Sequence, residues 1–333
     1  MKTFILHIIC LGLFHQVIGQ TESTTIAFGS CSREDKTDQM WSEIIAENPD
    51  LFIWTGDIVY GDTHDMKTLK TKYDLQKSRD GYQKLLKQMP VIGIWDDHDY
   101  GVNDGGKYYT MKKQSKEVLL DFLDVPKSDP VFDHEGAYST YTLGESDRRI
   151  KVILLDCRYF RDTLEHGIKN GPRYKANLNG DILGEEQWLW LEKELRSSSA
   201  AINMVVSGIQ VLSAEHHYEK WDNFPKARKR LLDLIEDIQP APTLFLTGDR
   251  HIAELSKFTS DKLDYPLFDF TASGLTHTWS EPWEERNPSR VGDLIIQKNF
   301  GIIEVNWSEN KPKVTFVVKG HERAEFMRYE HQY

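Results

Sequence analysis

Apolar runs along this chain stop abruptly at polar clusters. Val91–Trp95 runs into Asp96, Asp97, His98 and Asp99. Thr25–Phe28 runs into Gly29-Ser30-Cys31, Leu51–Thr55 into Gly56-Asp57, and Thr243–Thr247 into Gly248-Asp249-Arg250-His251. Such runs between turn signals predict buried strands. Between them, apolar residues at helical spacing predict helices in Asp38–Asn48, Met66–Met89 (with a break near Gly81), Thr110–Leu123, Gly184–Leu195 and Lys226–Ile238. Met204–Gly208 reads as a further strand. Ala137–Leu143 alternates, and is expected to pair with Lys151–Asp156 across the polar turn Gly144–Arg149. Arg161–Leu183 reads as a long surface loop. After His251 strand patterns follow one another directly: Glu254–Phe258, Leu267–Ala272, Gly301–Trp307 and Lys313–Lys319. The expectation is an α/β chain of two packed sheets with helices outside, the second sheet largely antiparallel. No repeat or low-complexity linker interrupts it, so residues 21–333 are expected to form a single domain.

In open α/β sheets, ligands bind beyond the carboxyl ends of the strands. Four strand endings would therefore deliver Cys, Asp and His side chains to one rim. Carboxylates and an imidazole at the end of a buried strand are costly to desolvate unless something positive sits among them. A metal ion is the simplest such partner.

Composition narrows the picture. The 333 residues are 39% hydrophobic and 28% charged, ordinary for a soluble globular protein. A net charge of −11 argues against a broad nucleic-acid-binding surface. An anionic substrate would have to be drawn in by metal or by local arginine. Residues 1–20 have the form of a secretory signal peptide: Lys2, the apolar Phe4–Phe14, then Val17-Ile18-Gly19 as a cleavage region. The expected location is secreted or within the secretory pathway. Cleavage would remove Cys10 and leave Cys31 and Cys157. These could pair in an oxidising compartment, or Cys31 could offer a thiolate to metal, but not both. Asn306-Trp307-Ser308 is the single glycosylation sequon, because proline excludes Asn287-Pro288-Ser289.

The order GSC (Gly29–Cys31), GDxxY (Gly56–Tyr60), DDHD (Asp96–Asp99) and GDRH (Gly248–His251) resembles the alkaline phosphatase D-like (PhoD-like) branch of the calcineurin-like metallophosphatases. LLDCRYFR (Leu154–Arg161), GEEQW (Gly184–Trp188) and Trp221, Phe224, Pro225 and Arg228 support the resemblance. It implies a four-layer α/β/β/α sandwich of two mixed sheets, the metallophosphatase fold, with a dinuclear site at one rim. It implies that Cys31, Asp57, Tyr60 and His251 hold a ferric ion, Fe(3+). Asp57, Asp97 and Asp249 would hold calcium, Ca(2+), with Asp57 bridging; other divalent metals remain an open alternative. Ligand chemistry agrees in kind, since thiolate is soft and carboxylate hard, and a trivalent ion stabilises a phenolate.

The resemblance also implies that His98 contacts substrate phosphate and serves as proton donor to the leaving group. Arg158 would touch phosphate with its guanidinium fork, and Arg250 would be a further contact. Asp96 and Asp99 are expected to orient their neighbours, and Asn103 to lie close by. Asp97 and His98, adjacent on an extended chain, would point apart. His216-His217 read as a loop or substrate wall. The stretch His277–Arg290 carries two tryptophans near the expected rim and is equally open to a role as lid or specificity loop and to surface packing.

The implied function is a secreted metal-dependent phosphoesterase of the phosphodiesterase/alkaline phosphatase type, phospholipid head groups included. A metal-bound hydroxide would attack phosphorus. The alternative is a secreted, non-catalytic metal-binding protein on the same scaffold, but its signature, a lost ligand, is missing from the motifs. The expected partner is a phosphate ester, a membrane lipid included, and the expected state a monomer. Two departures stand out. The strand VVSGIQV lacks the histidine that ordinary calcineurin-like enzymes carry there, and the β-sandwich domain that precedes the GSC strand in bacterial members is not expected here.

Overall fold

The structure, a computed structural model, describes residues 22–167, 173–279, 281, 285–308 and 310–333. The expected signal peptide lies outside the described residues. Among those residues, no helix is long and apolar enough to cross a membrane.

In chain order the elements begin with β1 (Ser23–Gly29), α1 (Trp41–Ala46), β2 (Leu51–Thr55), α2 (Met66–Ser78), α3 (Asp80–Leu86), β3 (Val91–Ile94), α4 (Asp97–Tyr100) and α5 (Lys112–Phe122). The middle holds β4 (Ser139–Leu143), β5 (Ile150–Leu154), β6 (Glu165–His166), β7 (Tyr174–Lys175), α6 (Gly184–Arg196), β8 (Ile202–Ser207), α7 (Pro225–Ile238) and β9 (Thr243–Thr247). The remainder is β10 (Ala253–Phe258), β11 (Leu267–Ala272), β12 (Arg290–Ile295), β13 (Phe300–Asn306), β14 (Lys313–Lys319) and β15 (Glu325–Gln332).

The strands form two large sheets, ordered β15-β14-β13-β1-β2-β3 and β12-β10-β11-β9-β8-β5-β4. Both are mixed. In the first, β1, β2 and β3 run parallel while β13, β14 and β15 are antiparallel. In the second, the central β5, β8, β9 and β11 run parallel, the flanking β4 and β10 run antiparallel to them, and β12 pairs antiparallel with β10. The expectation of a largely antiparallel second sheet is therefore corrected. The strands after His251 are shared between both sheets, so their succession in sequence did not reveal which sheet each extends.

The inner faces meet through aromatic residues. Phe28 of β1 packs on Phe270 of β11 at 5.0 Å, and Phe316 of β14 lies 4.9 Å from Phe268. The outer face of the first sheet carries Trp54, which sits 5.4 Å from Trp41 of α1 and 5.9 Å from Tyr82 of α3. On the other side, α6 packs on α7. Buried aromatic surface of this kind dominates the core energetics.

Three local readings change. The expected helix Met66–Met89 breaks at Arg79, whose extended backbone ends α2, and not at Gly81. Arg161–Leu183 is no simple surface loop. Its described residues include the β6–β7 hairpin, and Arg161, Leu164, Tyr174, Ile182 and Leu183 are buried. Its polar composition hid these anchors. The third concerns DDHD. The apolar run ends as β3 at Ile94, and Asp97–Tyr100 is one helical turn, so Asp97 and His98 do not alternate as on a strand.

Candidate metal centre

The carboxyl ends of β1, β2, β3 and β9 converge, and each is followed by a tight turn. Cys31, Asp57, Asp249 and His251 all have left-handed backbone, with φ of 58°, 49°, 66° and 54°. Non-glycine residues rarely adopt this region, and such strain concentrates at functional sites. Gly56 (φ 97°) precedes Asp57, and a Cβ there would collide with Asp96. Gly208 after β8, where the missing histidine was noted, leaves room for the Asp96 carboxylate in the same way.

Asp57 sits at the centre. Its Oδ2 lies 3.5 Å from the Cys31 sulfur and 3.4 Å from the Tyr60 hydroxyl. Tyr60 in turn lies 3.1 Å from His251 Nε2. Among the described residues, three groups of side chains have ligand atoms within 4.8 Å of one another: Cys31, Asp57 and His251; Asp57, Asp97 and His98; Asp96, Asp97 and Asp249. Asp57 and Asp97 each belong to two of them. Asp249 thus groups with Asp96 and Asp97, which brings Asp96 closer to ligand distance than the sequence suggested.

Electrostatics make this constellation costly as protein alone. Burial first, then the charges of Asp57 and Asp249, pushes the Cys31 thiol well above its ordinary range. Burial and Asp97 do the same to Asp57; burial, Asp96 and Asp97 do it to Asp249. Tyr60 is raised by burial and by Cys31 and Asp57. Burial, His277 and His98 depress His251 to about 3. Asp57 Oδ1, Asp96 Oδ2 and Asp97 Oδ1 are buried and accept no hydrogen bond. Buried acceptors without partners are rare. Three such oxygens beside a thiol, a phenol and an imidazole fit cations, one site softer and one harder.

The surrounding residues hold the turns. Asp99 accepts from the backbone N–H of Asp57 (3.2 Å), Ile58 (3.0 Å) and Asp96 (2.7 Å), and from the Tyr73 hydroxyl (3.2 Å). Asp97 Oδ2 accepts from Asp104 N–H at 2.6 Å. Burial would raise Asp97, but Arg158, His98 and that N–H hold it below the ordinary range. His98 Nδ1 lies 2.8 Å from Asp62 Oδ2, and the His98 ring is 4.3 Å from that of Tyr60. Burial alone would depress His98; Asp62, Asp57 and Asp97 push it up to about 11. Asn103 is exposed and donates its backbone N–H to Asp62.

Arg158 is fully buried. Its Nε donates to Asp96 and its Nη1 to Glu219, both at 2.7 Å, while Nη2 has no partner and lies 3.9 Å from Asp97 Oδ1. Asp156 fixes the turn beneath it by accepting the Arg158 N–H at 2.9 Å. Arg250 is also buried, donates to Glu285 at 2.6 Å and lies 4.5 Å from the Tyr218 ring centre. His216 is buried in the same loop as Tyr218, and His217 is exposed. Both remaining cysteines are free; Cys157 lies 3.3 Å from Ser207 Oγ, so the disulfide alternative is not realised. Asn306 ends β13, remote in sequence from the rim, and its Oδ1 accepts from Ser308 N–H at 2.8 Å.

Sequence reading missed Asp62, Glu34, Glu219 and the individual place of His277. Glu34 accepts the Tyr60 N–H at 3.0 Å, and His277 Nε2 lies 3.1 Å from the Tyr60 hydroxyl. Asp62 had a signal in its position, two residues beyond Tyr60. His277 had one too, five residues beyond the apolar run Leu267–Ala272, the same spacing as Tyr60 after Thr55; Glu219 had none.

One consequence can be measured directly. Burial pushes Asp96 and Asp99 up to about 7, against the pull of Arg158 and of backbone N–H groups respectively. A carboxyl raised on folding stabilises the fold fully below its unfolded value of about 4, and this is lost as pH rises through the folded value. Metal-free protein should therefore melt lower at about pH 8 than at about pH 5, and added cations should remove most of the difference. Thermal melts with and without chelator test this; a pH-independent melting temperature in chelator would contradict it.

Comparison with known proteins now adds a second line. A family model described as PhoD-like phosphatase matches residues 26–299. Alkaline phosphatase D of Bacillus subtilis (strain 168) is 26% identical over 281 residues, covering 71% of this chain and 47% of that protein. The chain thus spans about half the length of that curated relative. A solved structure of PhoD superposes with a TM-score of 0.68 at 17% identity, covering 94% of this chain and 69% of that one. A crystal structure of a dimetal phosphatase from Danio rerio gives 0.54 at 12% identity, covering 93% and 99%. Both likenesses show the metallophosphatase fold.

Proposed function

Because the chain belongs to the PhoD-like phosphatase family, we propose that it is a metal-dependent phosphoric ester hydrolase acting on phosphodiesters, with some monoesterase activity. The observation that carries this reading is the set of partnerless buried oxygens on Asp57, Asp96 and Asp97 beside Cys31, Tyr60 and His251. In this reading Cys31, Asp57, Tyr60 and His251 hold a ferric ion and Asp57, Asp97 and Asp249 hold calcium. The metals, when bound, supply Lewis acidity and an activated water.

The chain's own residues do the rest. His98, kept protonated near neutral pH by Asp62, offers a charged donor to the leaving oxygen. Asp62 holds it through Nδ1, which leaves Nε2 for the substrate. Arg158 acts from below the rim. Asp96 and Glu219 engage Nε and Nη1, so only Nη2, buried 3.9 Å from Asp97 Oδ1, is left to offset the negative charge that builds on the phosphoryl oxygens. Asp99 keeps the turns of Asp57 and Asp97 in register through four accepted hydrogen bonds. Secretion through residues 1–20, glycosylation at Asn306 and a monomeric state complete the reading; lipid head groups stay within the proposed substrate range.

The test is metal content and visible absorbance of the purified protein, then diester and monoester hydrolysis before and after chelation. Iron with calcium, a thiolate or phenolate charge-transfer band and chelator-sensitive diester cleavage are expected. Iron-free protein that hydrolyses both esters would overturn the roles of Cys31 and Tyr60. Metal bound without hydrolysis of any phosphate ester would favour a non-catalytic binding protein.

A further inference from the structure

The rim of the metal centre is bordered by a continuous arc of rings. His98 lies 4.3 Å from Tyr60, Tyr60 5.3 Å from His277, and His277 4.3 Å from His251. His251 then lies 5.2 Å from Trp279, and Trp279 stacks on Tyr218 at 5.5 Å with an interplanar angle of 22°. The first four rings are accounted for by the metal and proton chemistry above. The last two are not. Trp279 is 37% exposed, one of few large hydrophobic side chains so placed among the described residues. Its backbone N–H donates to the His251 carbonyl at 3.2 Å, which ties its turn to the metal rim, and Tyr218 is backed by the Arg250 guanidinium at 4.5 Å. Arg250 is itself fixed by Glu285 at 2.6 Å.

We propose that Trp279, supported by Tyr218, is a specificity-determining platform on which a flat aromatic group of the phosphate ester stacks. The proposal rests on the phosphoesterase reading and names its substrate class. The indole, 5.2 Å from the His251 ring, lies within one ring of the reacting centre and so within reach of the organic group of a bound ester. Every aromatic ring has a π-face, so such a platform selects flatness without reading hydrogen bonds. A quaternary ammonium head group is the other natural occupant of an aromatic wall. It is disfavoured here because Arg250 already occupies a face of Tyr218, and because the neighbouring His251 belongs to a cation site.

The test uses three probes on metal-loaded protein: phenylphosphonate, methylphosphonate and phosphocholine. Their binding is measured by calorimetry and by competition against diester hydrolysis. The platform gives phenylphosphonate an advantage of about tenfold over methylphosphonate. Trp279→Leu, which keeps an apolar side chain without the π-face, should reduce that ratio to about twofold or less, while Trp279→Phe should keep most of it. Metal content of each variant is checked alongside. A wild-type protein that hydrolyses diesters without phenyl preference, an unchanged ratio in Trp279→Leu, or tighter binding of phosphocholine than of phenylphosphonate would each overturn the platform and leave the hydrolase standing. Absence of both phosphonate binding and ester hydrolysis would overturn the two together.

Discussion

Asp57→Asn should lower the turnover number for phosphate-ester hydrolysis by at least about a thousandfold. The side chain belongs to two of the three ligand groups, so its charge serves both proposed ions. Its Oδ2 faces the Cys31 sulfur and the Tyr60 hydroxyl, and its Oδ1 has no protein partner. Asparagine matches the shape and keeps an oxygen, but removes the charge that attracts the cations and replaces one oxygen by a donor. The fold should not suffer. Burial already pushes Asp57 well above the ordinary carboxylate range, so removing its ionisation relieves the metal-free protein. The expected combination is lost turnover, lost metal and unchanged or raised stability in chelator. Retained hydrolysis would sink the proposed mechanism. Lost hydrolysis with full metal content would move Asp57 from metal holding to substrate binding.

Arg158→Met should cost about 3–5 kcal/mol of stability, read by urea unfolding. The guanidinium is buried and compensates two buried carboxylates, Asp96 and Glu219, each at 2.7 Å. Methionine fills much of the volume but leaves both acids without their main partner, and breaking one side of a buried pair is far costlier than replacing the whole. Arg161, 3.0 Å from Glu219, would retain part of that acid's compensation, so the larger loss falls on Asp96. Asp96 is already raised to about 7 with Arg158 present, and should rise further without it. Destabilisation below about 1 kcal/mol would mean that the network is solvated in practice and that Arg158 is not the rigid element drawn above.

How much of this was legible in the chain depends on which interactions are local. Strands β11 and β14 fall on the residues read from their apolar runs, because both are buried on two faces. The edge strands β12 and β15 were not read. Val291–Asp293 and Glu325–Gln332 mix exposed and half-buried positions, and a half-solvated edge carries little apolar signal. The rim residues were legible because each follows a strand within a few positions. The pairings behind them were not: Asp62 lies near the GDxxY motif, but that it reaches His98 across 36 residues, and Glu219 reaches Arg158 across 61, is set by the fold. The helical turn of Asp97–Tyr100 was missed because what closes it is the Asp99 carboxylate, which ties Asp96, Asp57 and Ile58 together. Alternation was assumed where a capped turn stands.

The pairing of β1 with β13 sets a kinetic condition on everything else. Ser23 lies opposite Asn306 and Phe28 opposite Gly301, so the first described strand gains its second neighbour only when residues about 280 positions later have been synthesised. Until then β1 has β2 alone, and the Cys31 turn at its end waits for Thr276, whose hydroxyl donates to the Cys31 carbonyl at 3.0 Å. Closure of so long a loop is slow. During that interval the nascent chain would present an open sheet edge and an accessible thiol in the same place, so exposure to aggregation and to mispairing with other thiols lasts from early in synthesis until nearly its end.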